Sequence, residues 1–446
     1  MAKRAVTILG VLLPSRLLLR RTAAAAGIYS SVVLGLLGTV IAARTFTKEV
    51  FGLFTLVVVA TDFFRSLFDL TAEEALVKYG FRYSTRGDWG RLRRLYEAGF
   101  AFKAGGGILA GLGLVVFAFA HGPRTALLVA ALLPLLYSLD GLAGAVLFLR
   151  SRYDVRSAFL TVSTGLRLAG IAVGVHYGLV AAVLGMLAAQ ALVTTLIGVV
   201  AYAWFRRFPR EPVRQLAEDR RDIGRFVLQS SAATGVLSLR GALAPLLFGL
   251  TTSTTQLGLF KLAQAPQQAF NALSAPARMI LLTEQTKDWE HGRQSTVLRG
   301  VRRYSMLAAL LMVVVLPPAM WFMPDLIRLI YGAKYLGATN AFRVFAGAAA
   351  FVFVVGWSKS FPVSIGRPQL RVWTHGLEAL IVLPLVVALG AAWGVTGGAV
   401  AVLIGTAAFA LVWGWIFLRI KPDDTVVQPF DEAAAAESEE IEVATL

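Results

Sequence analysis

The stretch GLFKLAQAPQQAFN, Gly258 to Asn271, sets four polar side chains into apolar surroundings: Lys261, Gln264, Gln268 and Asn271. Their spacings of three, four and three place them on one face of a helix. A second stretch, GLFTLVVVATDFFRSLFD from Gly52 to Asp69, opens on the same tripeptide and carries Thr55, Asp62, Arg65 and Asp69 at helical spacing. Aligning Gly52-Leu53-Phe54 with Gly258-Leu259-Phe260 superposes Asp62 on Gln268 and Arg65 on Asn271. A polar stripe is costly on a helix face that meets lipid, so each must face protein or a wet cavity. Two stripes in one register predict two related halves around a shared polar interior, which is the plan of a transporter.

The rest of the chain supplies the membrane. Of 446 residues, 57% are hydrophobic and 15% charged, against about 25% charged in a soluble domain. Mean hydropathy is +0.69. Apolar runs long enough to cross a bilayer as helices fall near 26–46, 50–69, 97–120, 124–148, 157–177, 180–204, 225–249, 257–283, 303–323, 340–365, 371–391 and 395–418. The expected fold class is therefore an all-α polytopic membrane protein with about twelve transmembrane helices.

Charge sets the expected orientation. The net charge of +17 does not point to nucleic acid, because the basic residues sit in alternate short gaps between apolar runs. One set holds Lys3, Arg4, Arg16, Arg20 and Arg21, then Lys78, Arg82, Arg86, Arg91, Arg93 and Arg94. It continues through Arg150, Arg152 and Arg156, the Arg206–Arg225 linker, and Arg278 to Arg303. The other gaps are nearly bare. By the positive-inside rule the rich gaps and both termini are cytoplasmic, in a bacterial or archaeal cytoplasmic membrane. A cleaved signal peptide is not expected, since Arg16, Arg20 and Arg21 precede the small residues where cleavage would fall.

The longest polar gap, 205–224, is Arg-rich, contains Pro209 and Pro212, and divides six spans from six. An echo supports the duplication: Gly178-Leu179-Val180 joins spans five and six, and Gly394-Val395-Thr396 joins eleven and twelve. Expected units are a basic interfacial segment (1–25), a six-helix bundle (26–204), a cytoplasmic linker (205–224), a second six-helix bundle (225–419) and an acidic disordered tail (420–446). With six spans each, the bundles share orientation as a parallel repeat.

No catalytic or metal constellation appears. There is no phosphate-binding loop, zinc-protease motif or nucleophile elbow, cysteine is absent, and the four histidines are scattered. No enzyme activity, metal or cofactor is expected. What remains is charge inside spans: Arg65, Lys103, Arg167, Arg240, Lys261 and Lys359, with the acids Asp62, Asp69, Asp140 and Glu378. Such charges are costly in lipid and mark functional interiors. Asp62, Arg65 and Asp69 also sit at spacings that pair within one helix, and Lys103 lies near enough to a span end to snorkel. The acids are accordingly candidates for ion coupling or for structural pairing. The cation excess points to an anionic substrate: Arg and Lys hold phosphates, while Gln264, Gln268 and Asn271 can hydrogen-bond hydroxyls.

At this point the sequence resembles the polysaccharide transporter branch of the multidrug/oligosaccharidyl-lipid/polysaccharide exporter superfamily, the O-antigen type lipid-linked oligosaccharide flippases. The resemblance rests on Arg44–Phe54 (RTFTKEVFGLF), Asp69–Tyr79 (DLTAEEALVKY), Leu149–Arg156, Gly258–Ala263 (GLFKLA), Tyr331–Tyr335 and Gly366-Arg367-Pro368. One departure is Thr71, where the family usually has Gly after Asp-Leu. The resemblance implies two six-helix bundles, alternating access, and a cationic central cavity with Arg44, Arg240 and Lys261 near it. The expected substrate and partner is a polyprenyl-diphosphate-linked glycan, bound by Arg44, Arg65, Arg240, Lys261, Gln264, Gln268, Asn271 and Lys359. Membrane lipids and polysaccharide assembly proteins are further expected partners; nucleic acid is not. Two other readings stand beside it. A cation-coupled drug exporter of the same superfamily would be expected to have an acid-dominated cavity. A polysaccharide polymerase or ligase would be expected to have a large extracytoplasmic loop.

Overall fold

The structure, a computed structural model, describes residues 16–68, 72–150, 152–216, 219–273, 285, 288–289, 292–367, 369–420 and 422. Every regular element among them is helical. The chain is an all-α polytopic membrane protein of about twelve spans in two six-helix bundles related by a parallel repeat.

The first bundle runs α1 (Arg16–Thr45), α2 (Lys48–Phe68), α3 (Ala72–Thr85), α4 (Trp89–Ala120), α5 (Arg124–Ala130), α6 (Leu133–Leu149), α7 (Tyr153–Gly174) and α8 (Leu179–Phe205). The described part of the basic N-terminal segment belongs to α1 and runs unbroken into the first span. The second bundle runs α9 (Arg220–Thr251), α10 (Thr254–Ala263), α11 (Ala265–Leu273), α12 (Gln294–Trp321), α13 (Met323–Ile330), α14 (Thr339–Val354) and α15 (Gln369–Arg419). α15 is two spans joined at the non-helical pair Trp393–Gly394. Of the acidic tail only Ile420 and Pro422 are among the described residues.

Local chemistry repeats between the bundles. The hydroxyl of Thr47 accepts from the Val50 amide at 3.3 Å and opens α2; the hydroxyl of Ser253 accepts from the Gln256 amide at 3.2 Å and opens α10. These caps stand five residues before Gly52 and Gly258, in the register set by the shared tripeptide. The joint glycines repeat as well. Gly178 has φ +104° and Gly394 has φ +57°, a left-handed backbone that a side chain would disfavour at both span-to-span turns.

One sequence expectation is corrected. Lys261, Gln264, Gln268 and Asn271 do not share one continuous helix: it breaks at Gln264, between α10 and α11. The cause is Pro266, which has no N–H to give the Leu262 carbonyl.

At one end the two bundles share a hydrophobic core; at the other, among the described residues, their cores are separate. At the joined end α2 packs against α9 and α10. Gly52 lies so close to α10 that a Cβ there would stand 2.3 Å from the Thr254 carbonyl oxygen, and a Cβ on Gly258 would stand 3.1 Å from the Gly52 Cα. The two tripeptides that disclosed the repeat are thus packed directly on each other. Around them one hydrophobic core draws on both bundles, with Ala43, Phe51 and Phe54 from the first and Phe260, Tyr335 and Phe345 from the second. At the other end the cores are separate: Tyr79, Tyr83, Leu92 and Tyr96 in the first bundle, Trp357, Phe361 and Trp413 in the second.

Polar contacts finish the seam. The Arg44 guanidinium donates to the carbonyls of Ile330, at 2.8 Å, and Leu329, the last residues of α13. Lys334 donates back to the carbonyls of Arg44, at 3.0 Å, and Phe46. The Tyr335 hydroxyl donates to the Ala43 carbonyl at 2.9 Å. A helix C-terminus carries unsatisfied carbonyls and partial negative charge, which is what these cations meet.

At the end where the cores are separate the linker is strapped to the first bundle. The Arg214 amide donates to the Gly90 carbonyl at 3.3 Å, and the Gly90 amide donates to the Glu211 carboxylate at 3.3 Å. The Tyr83 hydroxyl donates to Asp219 at 2.8 Å, with Arg82 and Arg91 at 3.6 and 3.8 Å from the same carboxylate. Burial, then that carboxylate, pushes the Tyr83 hydroxyl above its ordinary pKa, so it stays a donor. α9 consequently begins in the first bundle, where Phe226 meets Tyr79 edge-on, and ends in the second, where Phe248 stacks on Phe260 at 4.5 Å.

Candidate functional site

Just past the seam, on the side where the cores separate, α2, α9 and α10 enclose a cavity of about 240 Å³. α2 supplies Val59, Asp62, Arg65 and Ser66, α9 supplies Gly241, Ala242 and Pro245, and α10 supplies Lys261. Asp62 and Arg65 face it together because they lie one turn apart. Pro245, inside α9, leaves the Gly241 carbonyl in the cavity wall without its helical donor.

The cavity carries two cations and one acid. Arg65 Nη2 lies 3.8 Å from Asp62 Oδ1, with both side chains more than a third exposed, so solvent screens the pair and it contributes little. Arg65 also lies over the Tyr137 ring at 5.4 Å, and the Tyr137 hydroxyl accepts from Arg167 at 3.3 Å. Its Nε is buried with no hydrogen-bond partner among the described residues. Lys261 has no acidic partner within 4.0 Å among the described residues. One charge is therefore loosely matched and one is unmatched, in a partly desolvated site that both bundles build. Such a site attracts an anion that can accept several hydrogen bonds.

The other expected site residues are distributed as follows. The side chain of Arg240 lies outside the described set, but its neighbour Gly241 lines the cavity. Asp69 lies outside the described residues. Gln264 caps the end of α10 and Gln268 is exposed on α11. Asn271 accepts a 3.0 Å hydrogen bond from Lys359, which ties α11 to the turn after α14. Arg44 is at the joined end, on the α13 carbonyls. Asp140 is clasped by Arg156 through both carboxylate oxygens at 3.1 Å, a brace inside the first bundle. Glu378 lies 3.1 Å from His375, and both are buried within the second bundle. Lys103 is buried and 2.9 Å from Glu73.

Tyr137 is the participant that sequence reasoning missed. A single Tyr in an apolar run has no periodic signal, and its link between Arg65 and Arg167 exists only across α2, α6 and α7. Among the described residues no group of His, Cys, Asp and Glu could hold a metal ion.

No protein family or curated protein sequence matches the chain. Solved structures do. An inward-facing multidrug resistance MATE family transporter of the MOP superfamily aligns over 86% of this chain and 94% of its own, with a TM-score of 0.68 and 12% identity. The lipid II flippase MurJ in an inward closed conformation aligns over 90% and 88%, with a TM-score of 0.70 and 14% identity. A MOP superfamily transporter from Pyrococcus furiosus, described as having a binding pocket of reversed polarity, aligns over 90% and 98%, with a TM-score of 0.57 and 12% identity. The chain has the fold of MOP superfamily transporters.

Proposed function

We propose that this protein is an alternating-access flippase that carries a polyprenyl-diphosphate-linked oligosaccharide from the cytoplasmic to the outer leaflet. The observation that carries the reading is the cation excess of a cavity built by both bundles at the point where their cores separate. The basic loops support a cytoplasmic placement of the end where the cores separate, and on that reading the headgroup would enter from the inside. A sugar diphosphate would enter there and bridge Arg65 on α2 to Lys261 on α10. The lipid tail would stay in the bilayer. Neutralising repelling cations on opposite bundles favours closure around the headgroup, which is the differential binding that alternating access requires. The fold shared with MurJ, named for lipid II, is consistent with a lipid-linked glycan. The same fold in MATE transporters keeps a drug exporter as the competing reading, against which the cation excess counts.

The test is reconstitution in liposomes with a fluorescent polyprenyl-diphosphate oligosaccharide and, in parallel, a cationic dye. Lys261→Glu and Arg240→Glu should abolish glycolipid translocation at normal protein levels, while Arg20→Glu leaves it nearly intact. Wild-type rates in both cavity variants, or dye export without glycolipid movement, would overturn the proposal.

A further inference from the structure

A second cavity, of about 820 Å³, lies away from the polar site, on the flank of the molecule where the two bundles touch through α9. It is lined by α4 and the first half of α9, and Ala72, Ala75 and Leu76 of α3 complete the lining. The two wall helices rise from the same end, and each contributes residues one turn apart. On α4 these begin with Arg94 and reach Phe102; on α9 they begin with Arg220 and reach Leu228 and Ser231. Between those ends the lining is Ala, Gly, Leu, Ile and Val. The cavity is thus an apolar slot with two arginines and Gln215 of the linker at its mouth.

We infer that this slot is a binding site for a phospholipid with a singly charged anionic headgroup, taken from the leaflet that faces the basic loops. Three observations support this. First, depth: eight residues from Arg94 to Phe102 and eleven from Arg220 to Ser231 span roughly 12–16 Å at the helical rise. That matches the ~15 Å of apolar thickness in one leaflet. Second, sorting: Arg94 and Arg220 stand at headgroup level, while Phe102 and Leu228 are exposed at acyl-chain level, 44% and 70%. Third, charge: Glu97 accepts from Arg94 at 3.2 Å. With Glu97 on Arg94 and Asp222 in the first turn of α9 beside Arg220, the mouth is only weakly cationic, which suits a phosphodiester better than a diphosphate. Basic pockets between helices at this level are where anionic headgroups bind. The occupant would bridge α4 of the first bundle to α9, the helix shared by both. The inference does not depend on which substrate the central cavity carries.

The test uses native mass spectrometry of the full chain released from micelles with added phosphatidylglycerol or phosphatidylcholine of the same chains. The wild type should retain one phosphatidylglycerol and no comparable phosphatidylcholine. Arg94→Gln/Arg220→Gln should retain at least tenfold less at equal lipid, while Arg94→Lys/Arg220→Lys should keep it. Gly224→Leu should also lose it, because the space beside Gly224 is open for 4 Å and the added side chain fills the slot without a backbone clash. Leu is also the better helix former, so this variant decides the matter even if the double Gln variant does not fold. Retention unchanged by Gly224→Leu, or equal retention of phosphatidylcholine, would overturn the inference. Displacement of phosphatidylglycerol by an equimolar polyprenyl diphosphate would assign the slot to that lipid instead and overturn it too.

Discussion

Gly52→Ala places a methyl group where the Thr254 carbonyl oxygen is 2.3 Å away and its carbon 2.5 Å away. Both are backbone atoms, so no rotamer change relieves the contact. The helices must separate by about 1 Å, and overpacking of this kind costs about 1–3 kcal/mol. The cost falls only on the conformation in which the seam is joined. Taking ~2 kcal/mol, the ratio of opened to joined seam rises roughly 30-fold. The chain has no cysteine, so one reporter suffices. Ala43→Cys is nearly isosteric, is fully buried, and sits where Tyr335 of the other bundle donates to its carbonyl. Alkylation of that cysteine by a small thiol reagent should accelerate roughly 30-fold in Gly52→Ala if labelling follows the opened population. Gly258→Ala meets the Gly52 Cα and the Phe51 ring at 3.1 Å, so its effect should be much smaller. An unchanged labelling rate in Gly52→Ala, with unchanged thermal stability, would refute the claim that this contact holds the seam.

Arg44→Ala removes the donors to Leu329 and Ile330; it should speed the same labelling and leave substrate affinity unchanged, whereas a weakened affinity measured by titration would return Arg44 to the binding site. Asp140→Ala breaks a bidentate pair whose partners are about four-fifths buried and should lower stability by about 2 kcal/mol, read as a thermal shift, while the surviving protein still transports. For topology, Arg214→Cys and His121→Cys should be inaccessible and accessible, respectively, to an impermeant thiol reagent in intact cells; the reverse pattern would invert the assigned orientation. A headgroup with two negative charges gains ~2.3 kcal/mol per charge per 100 mV on moving outward, so export in proteoliposomes should slow when the potential is collapsed. Asp62→Asn should leave protein level and the dependence on potential nearly unchanged, because its pair with Arg65 is screened by solvent. Export that ignores the potential yet stops without a proton or sodium gradient would make the acids the coupling site.

The span pattern and the repeat were legible because both are periodic properties of sequence. The shared Gly-Leu-Phe register located the inter-bundle contact itself, and the Gly178 and Gly394 echoes marked two turns that require a left-handed backbone. What the sequence did not disclose depends on distance in the chain. The resemblance placed Arg44 near the cavity, but the carbonyls it meets lie 285 and 286 residues away, and nothing in the sequence links them. Asp140 and Arg156 are separated by a turn between two spans, and no helical spacing links them. The Lys261–Asn271 stripe was sound as periodicity, but Pro266 overrode it. Its upper part joins Asp62 and Arg65 at the cavity, while its lower end is taken by Lys359. The pairing of Arg65 with Tyr137 required three helices to be placed first.

The meeting of Gly52 with Gly258 also bears on descent. In a two-fold assembly, equivalent residues touch one another only where the rotation axis passes between them, and such a contact is isologous. Here the equivalent positions belong to one chain, so the axis is internal and approximate. A half-length ancestor pairing with a copy of itself would have made the same contact, glycine on glycine, in a homodimer. After a fusion each half would be free to diverge, as the aligned positions have: Asp62 and Arg65 on one side, Gln268 and Asn271 on the other. The Gly52 side of the contact is the more constrained, because a Cβ there meets the Thr254 backbone at 2.3 Å, whereas one on Gly258 meets Gly52 and Phe51 at 3.1 Å.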